Sequence, residues 1–176
     1  MRKSKKVWKN LYGCGKIKGI NLRSGSLKYT FDFKEIGESI DFCTVKAEGF
    51  KTACASLSFM IPLSGDASLF ALIPNILTRS SKEYPTLTHL EKKLATLYGA
   101  EIDVDVSKIG ENQILKLSIC SIDDRFALHN ENIVEECCKV LFELVFRPKL
   151  VDGMFLADEV ESETRLLAEQ LGAEIS

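Results

Sequence analysis

Helical patterning in this chain begins at Leu69, where Leu69, Leu72, Ile73, Ile76 and Leu77 recur at i, i+3, i+4, i+7 and i+8, the spacing of one face pressed into a core. Asp66 or Ser64 is placed to cap this helix. Pro74 removes a backbone donor and crowds the carbonyl four residues back, which predicts a kink or early break near Asn75. After Tyr84-Pro85-Thr86, a second stripe runs through Leu87, Leu90, Leu94, Leu97 and Tyr98, with Gly99 as its stop in the C′ position. A third helix carries Ile133, Val134, Cys137, Cys138, Val140, Leu141, Leu144 and Val145 and closes at Arg147-Pro148. A fourth, from about Asp152, buries Val160, Thr164, Leu167 and Leu171.

Period-two alternation marks the strands. Ser39 to Lys46 is one, and Lys51 to Ile61 is another, with Ala53, Ala55, Leu57, Phe59 and Ile61 on one face. Glu48-Gly49 supplies a turn between them, which predicts a hairpin, and Pro62 ends the second strand. Glu101 to Ser107 turns Ile102, Val104 and Val106 inward; after the turn Gly110-Glu111-Asn112, Ile114 to Ile122 alternates through Leu115, Leu117 and Ile119. Asp103, Asp105, Lys116 and Ser118 are then left for solvent. The order β-β-α-α-β-β-α-α predicts an α+β fold, an antiparallel sheet covered on one face by helices.

With 176 residues, 45% apolar and 27% charged, the chain has enough for one soluble domain. Its net charge of −2 favours neither nucleic acid nor a membrane surface as a partner. The apolar run at Leu57 to Leu63 is too short for a transmembrane helix, and no apolar h-region follows the basic start. Residues 1–30 read as a basic, mobile leader, free of acidic side chains, ahead of a domain over 31–176. As a nucleic-acid arm this leader lacks interleaved aromatics beyond Trp8 and Tyr12, and Gly13-Cys14-Gly15 is too short for a phosphate loop.

Six cysteines stand at 14, 43, 54, 120, 137 and 138 without a C-x-x-C pair, which favours free thiols in a reducing cytoplasm over disulfides, and excludes a zinc cluster of paired ligands. His89 reads as a surface or half-buried helix residue, and His129 as part of a polar connection. The acids Asp158, Glu159, Glu161 and Glu163 read as a solvated helix face supporting the helix dipole.

Several segments together carry a family resemblance: Phe50-Lys51-Thr52 opening a strand, LFALIPNILTRSSKEYPT from Leu69, LEKKLATLYGAEIDVDVSKIG from Leu90, and Phe146-Arg147-Pro148 followed by an acidic helix through Arg165-Leu166-Leu167. From about Gly37 to Leu171 the chain resembles the pitrilysin/insulinase metallopeptidases, and among them a bacterial branch without the zinc motif. Active members carry His-x-x-Glu-His on the first helix, two histidines on one face binding zinc and the glutamate activating the metal-bound water. Aligned on Arg79-Ser80-Ser81 and Tyr84-Pro85-Thr86, the histidines fall on Ala71 and Asn75 and the glutamate on Pro74. If Glu163 matches the first of two family glutamates seven apart, the ligand position falls on Gln170, with Glu169 beside it.

The resemblance therefore implies no catalytic, cofactor-binding or metal-binding residue in this chain and no cofactor. It implies a non-catalytic homologue, incomplete at its C-terminus relative to the family domain, that lines a peptide-enclosing chamber with a homologous peptidase-like subunit or domain. The alternative it leaves is a metallopeptidase half that completes a zinc site with ligands from a partner chain.

Overall fold

The computed structural model describes residues 18–24, 27–47, 49–63 and 65–174. The chain divides into two compact units, Met1–Phe50 and Lys51–Ser176. The first holds an antiparallel sheet in the order β1-β2-β3, with β1 Lys18–Ser24, β2 Leu27–Gly37 and β3 Ile40–Ala47. The expected leader is thus corrected from Lys18 onward: its second half pairs as strands, because Ile20 to Ser24 register against Leu27 to Phe31 and satisfy their backbone groups there. Residues 1–17 lie outside the described residues. Every residue of β3 except Ala47 is exposed, Phe42 at 53% and Val45 at 52%.

The second unit contains β4 Thr52–Pro62, α1 Ala67–Leu77, α2 Leu87–Thr96, β5 Glu101–Ile109, β6 Asn112–Ile122, a 3₁₀ turn Asp124–Phe126, α3 Ile133–Phe146 and α4 Ala157–Glu174. Its sheet is antiparallel in the order β4-β6-β5, and the architecture is α+β as the patterning predicts. The expected hairpin of the third and fourth strands does not form. β3 instead returns on β2 through Glu38-Ser39, with Ser39 at φ 60°, while β4 pairs with β6. The physical reason is the apolar match: Ala55 faces Ile119 and Leu57 faces Leu117, all in or against the core, whereas β3 offers no comparably buried face.

As the central strand, β6 is flanked by β4 and β5, and Ser118, expected in solvent, is 8% exposed with its hydroxyl donating to the Asp103 carbonyl. Val106, expected inward, is 37% exposed near the β5–β6 turn, where Gly110 takes φ 62°. The helices cover the Leu117/Ile119 face, and α3 supplies the deepest layer through Ile133, Cys137, Val140, Leu141 and Leu144. Each such side chain removed from water contributes roughly 1.5–3 kcal/mol before the entropy of ordering is subtracted.

Helix α1 continues through Pro74 to Leu77, so the predicted early break near Asn75 is corrected. Pro74 is itself buried, and the helix ends three residues later, tightened by i→i−3 bonds from Thr78 and Arg79 to Asn75 and Ile76. The carbonyl of Asp66, rather than its side chain, receives the first amides, those of Leu69 and Phe70. At the end of α2, Gly99 at φ 71° is preceded by Tyr98 at φ 58°, so the left-handed reversal takes two residues. Thr164 of α4 is exposed and Glu163 is buried, the reverse of the expectation for both; Leu171 has no described side chain.

Cys54 and Cys120 are register partners on β4 and β6, with Cα atoms 4.1 Å apart, and they form a disulfide. Free thiols were expected from the absence of a C-x-x-C pair, but strand register joins cysteines 66 residues apart that no local spacing shows. Cys43, Cys137 and Cys138 are free. Among the described residues no helix is long and apolar enough to cross a membrane.

Candidate functional site

The resemblance points to α1, and three devices fix where that helix lies. Gln113 of β6 donates to the Ala67 carbonyl at 2.9 Å and holds the first turn against the sheet. The Thr78 hydroxyl donates to the Asn75 carbonyl at 2.7 Å and closes the last turn. Beyond it Arg79 forms a charge-assisted pair with Glu163, tying the end of α1 to α4. Glu163 shares an inward face with Val160 and Leu167 at i, i−3 and i+4, and at 7% exposure it is held there by Arg79 rather than by solvent.

The loop from α1 to α2 is equally determined. The Tyr84 amide donates to the Ser81 hydroxyl at 3.0 Å, the Ser81 amide to the Tyr84 carbonyl at 2.8 Å, and the Glu83 amide to Glu143 of α3 at 3.1 Å. Burial, and then the neighbouring Glu83, push the Tyr84 phenol up to about 12. Tyr84-Pro85-Thr86 therefore sets how far α2 stands from α1.

Between the two helices and β5 lies a cleft of about 440 Å³, lined by Asn75 and Thr78, by Leu87, Leu90, Glu91 and Leu94 of α2, and by Ile102, Asp103 and Val104 of β5. β5 pairs only with β6 among the described residues, so its other backbone edge is open on this side of the sheet. Apolar side chains and an edge of unpaired amides and carbonyls make a surface suited to an extended chain.

The three positions assigned to chemistry sit as follows. Asn75 is half-buried and lines the cleft, Ala71 is half-buried, and Pro74 is buried in the packing. Ala71 and Pro74 have no side-chain donor atom, and Asn75 offers only a neutral amide, so the helix does not fit a zinc ion. Glu163 is engaged by Arg79, Glu169 is exposed and approaches Arg165 at 3.9 Å, and the Gln170 side chain is not described. Among the described residues no group of three or more His, Cys, Asp or Glu is placed to hold a metal. His89 is exposed on α2, its Nδ1 2.7 Å from the Thr86 hydroxyl, and His129 is exposed in its connection.

Sequence reading missed the cleft wall on α2 and the Arg79–Glu163 pair. The second had a signal: Glu163 falls in phase with Val160 and Leu167, a position where an acid must find a partner. The first had none, since Leu87, Leu90 and Leu94 read equally well as core; Leu87 is in fact 39% exposed.

A second depression of about 440 Å³ lies against the stacked rings of Phe142 and Phe146. Its charges are already committed, Lys93 and Lys139 to Glu136 and Arg147 to Glu143. Hydrogen bonds from those two lysines hold the Glu136 carboxyl down at about 2. With no unpaired group aimed into it, this depression is the weaker candidate.

No family model matches the chain. It is 28% identical over 148 residues to the "Probable inactive metalloprotease YmfF" of Bacillus subtilis strain 168, a match covering 84% of this chain and 35% of that protein. The fold is similar to the crystal structure of a conserved protein from Enterococcus faecalis V583, with a TM-score of 0.65 and 26% identity over 70% of this chain and 29% of that one. The chain thus spans about a third of the length of these proteins, and over that span it is similar to a metalloprotease whose own name marks it as probably inactive.

Proposed function

We propose that this chain is a non-catalytic homologue of the pitrilysin/insulinase-like peptidases, acting in the cytoplasm as a peptide-holding partner of a homologous peptidase-like subunit or domain. The cleft between α1, α2 and the open edge of β5 carries this reading. An extended peptide laid along β5 forms main-chain hydrogen bonds with it, while its apolar side chains rest on Leu87, Leu90 and Leu94. Ala71, Pro74 and Asn75 stand where the resemblance places the two histidines and the glutamate, and none of them can bind zinc or activate water. Chemistry on the held peptide then falls to the partner. The similarity to a probable inactive metalloprotease supports the non-catalytic part of the reading.

Panning a displayed library of unstructured peptides against the chain tests the site, with hydrogen exchange on the selected binders. Binders should protect amides of β5 and lose affinity at least tenfold in Leu87→Asp, a change at a half-exposed position that leaves the core intact. Protection confined to elements other than β5, or affinity unchanged in Leu87→Asp, overturns the assignment.

A further inference from the structure

The disulfide lies on the sheet face that the helices leave open. Along β4, Ala53, Ala55 and Leu57 are half-buried while Cys54, Ser56 and Ser58 are exposed. On β6, Leu117 and Ile119 are in the core, and Cys120, between Ile119 and Ser121, is half-exposed. Cys54 also sits on an edge strand, since β4 pairs only with β6 among the described residues. The other described cysteines differ in kind. Cys137 and Cys138 lie in α3 with their thiols pushed up by burial, and Cys43 is exposed opposite Phe33, not opposite a second cysteine.

We propose that Cys54 and Cys120 form a reversible thiol–disulfide site that exchanges with small thiols and disulfides of the glutathione class, fastening edge strand β4 to β6 in the oxidised state. In the reducing direction a small thiolate attacks the exposed Cys54 Sγ. The Cys54–Cys120 bond breaks, its electron pair leaves on Cys120 Sγ, and that thiolate takes up a proton. A second small thiol attacks the mixed disulfide, which releases Cys54 as a thiol and forms the oxidised small disulfide. Two small thiols are thereby oxidised and one protein disulfide reduced; oxidation is the same sequence reversed.

Strand register keeps the cysteines opposed in both states, because β4 and β6 match residue for residue from Thr52↔Ile122 to Pro62↔Asn112 without the bond. The bond removes freedom from the unfolded chain across 66 residues and restrains fraying at the start of β4.

The test is equilibration of the full chain in buffers of graded reduced-to-oxidised glutathione ratio, followed by acid quench, alkylation and peptide mass analysis. Cys54 and Cys120 should pass together from alkylated to protected across the series, without the chain unfolding. The oxidised form should melt several degrees above the reduced form. That difference should vanish in Cys54→Ser and in Cys120→Ser, with both variants melting like the reduced chain. Two results overturn the proposal: both cysteines alkylated at the most oxidising ratio, or a bond that resists reduction until the chain is denatured.

Discussion

Helices α3 and α1 both pack on β6, yet they use their sequences differently. In α3 the buried apolar positions Ile133, Cys137, Val140, Leu141 and Leu144 follow i, i+4, i+7, i+8 and i+11, with Glu143 buried beside them, and the outer face carries Glu135, Lys139 and the stacked Phe142 and Phe146. In α1 (ASLFALIPNIL) no residue is charged, but only Leu72, Pro74, Ile76 and Leu77 are buried. Leu69 is 63% exposed, and Ala71, Ile73 and Asn75 are half-buried. A helix without charged residues that is only partly covered presents the remainder as a contact surface. The contrast separates what α1 does for stability from what it does at the cleft.

The sharpest way to break that contrast is a pair of truncations. Leu144→Ala in α3 and Ile76→Ala in α1 should each cost about 2–5 kcal/mol in urea unfolding, because both side chains are buried and leave a cavity. Asn75→Ala, on the open side of α1, should cost less than about 0.5 kcal/mol. A loss at Asn75 as large as that at Ile76 would mean that α1 has no free side.

A smaller effect tests the tie between α1 and α4. Glu163→Ala strands Arg79 beside a cavity, and since Arg79 is partly exposed the cost should be about 1–3 kcal/mol rather than the full penalty of a buried charge. Glu169→Ala, which breaks the exposed approach to Arg165, should be near neutral. Equal effects in denaturant melts would remove Glu163 from the structural role given to it.

The last effect shows only at alkaline pH. Tyr84 has an ordinary value of 10.0 and is raised to about 12 in the fold. Its contribution is complete below pH 10.0, where folded and unfolded chains both keep the proton. It is lost as pH rises from 10.0 toward 12, where only the unfolded chain has released it. Tyr84→Phe should flatten that part of the stability–pH curve, and an unchanged slope would show that the phenol titrates normally.

The helices were legible in the sequence because their patterns are long; α3 in particular shows its buried face at nearly every turn. The positions of β3 to β6 were legible too, but not all their partners, while β1 and β2 lie where no strand was expected. Alternation in Lys51 to Ile61 told which residues face inward, and nothing local told that the neighbour is β6 rather than β3. The disulfide escaped for the same reason, since Cys54 and Cys120 meet only through that pairing. Pro74 shows packing overriding propensity: the missing amide predicted a break, and burial of the ring within the second unit keeps the helix whole. At the candidate site, the lack of zinc-ligand side chains at Ala71 and Pro74, and the neutral amide at Asn75, could be read directly from the sequence. The cleft beside them needed α2 and β5 in place.

The proposed function requires that α1 packs in the core and holds no zinc. Metal analysis of the full chain, loaded with excess zinc and passed through gel filtration, tests it most directly. Far less than one zinc per chain should remain, with no difference between the wild type and Asn75→Ala. One zinc retained per chain, and lost in Asn75→Ala, would contradict it.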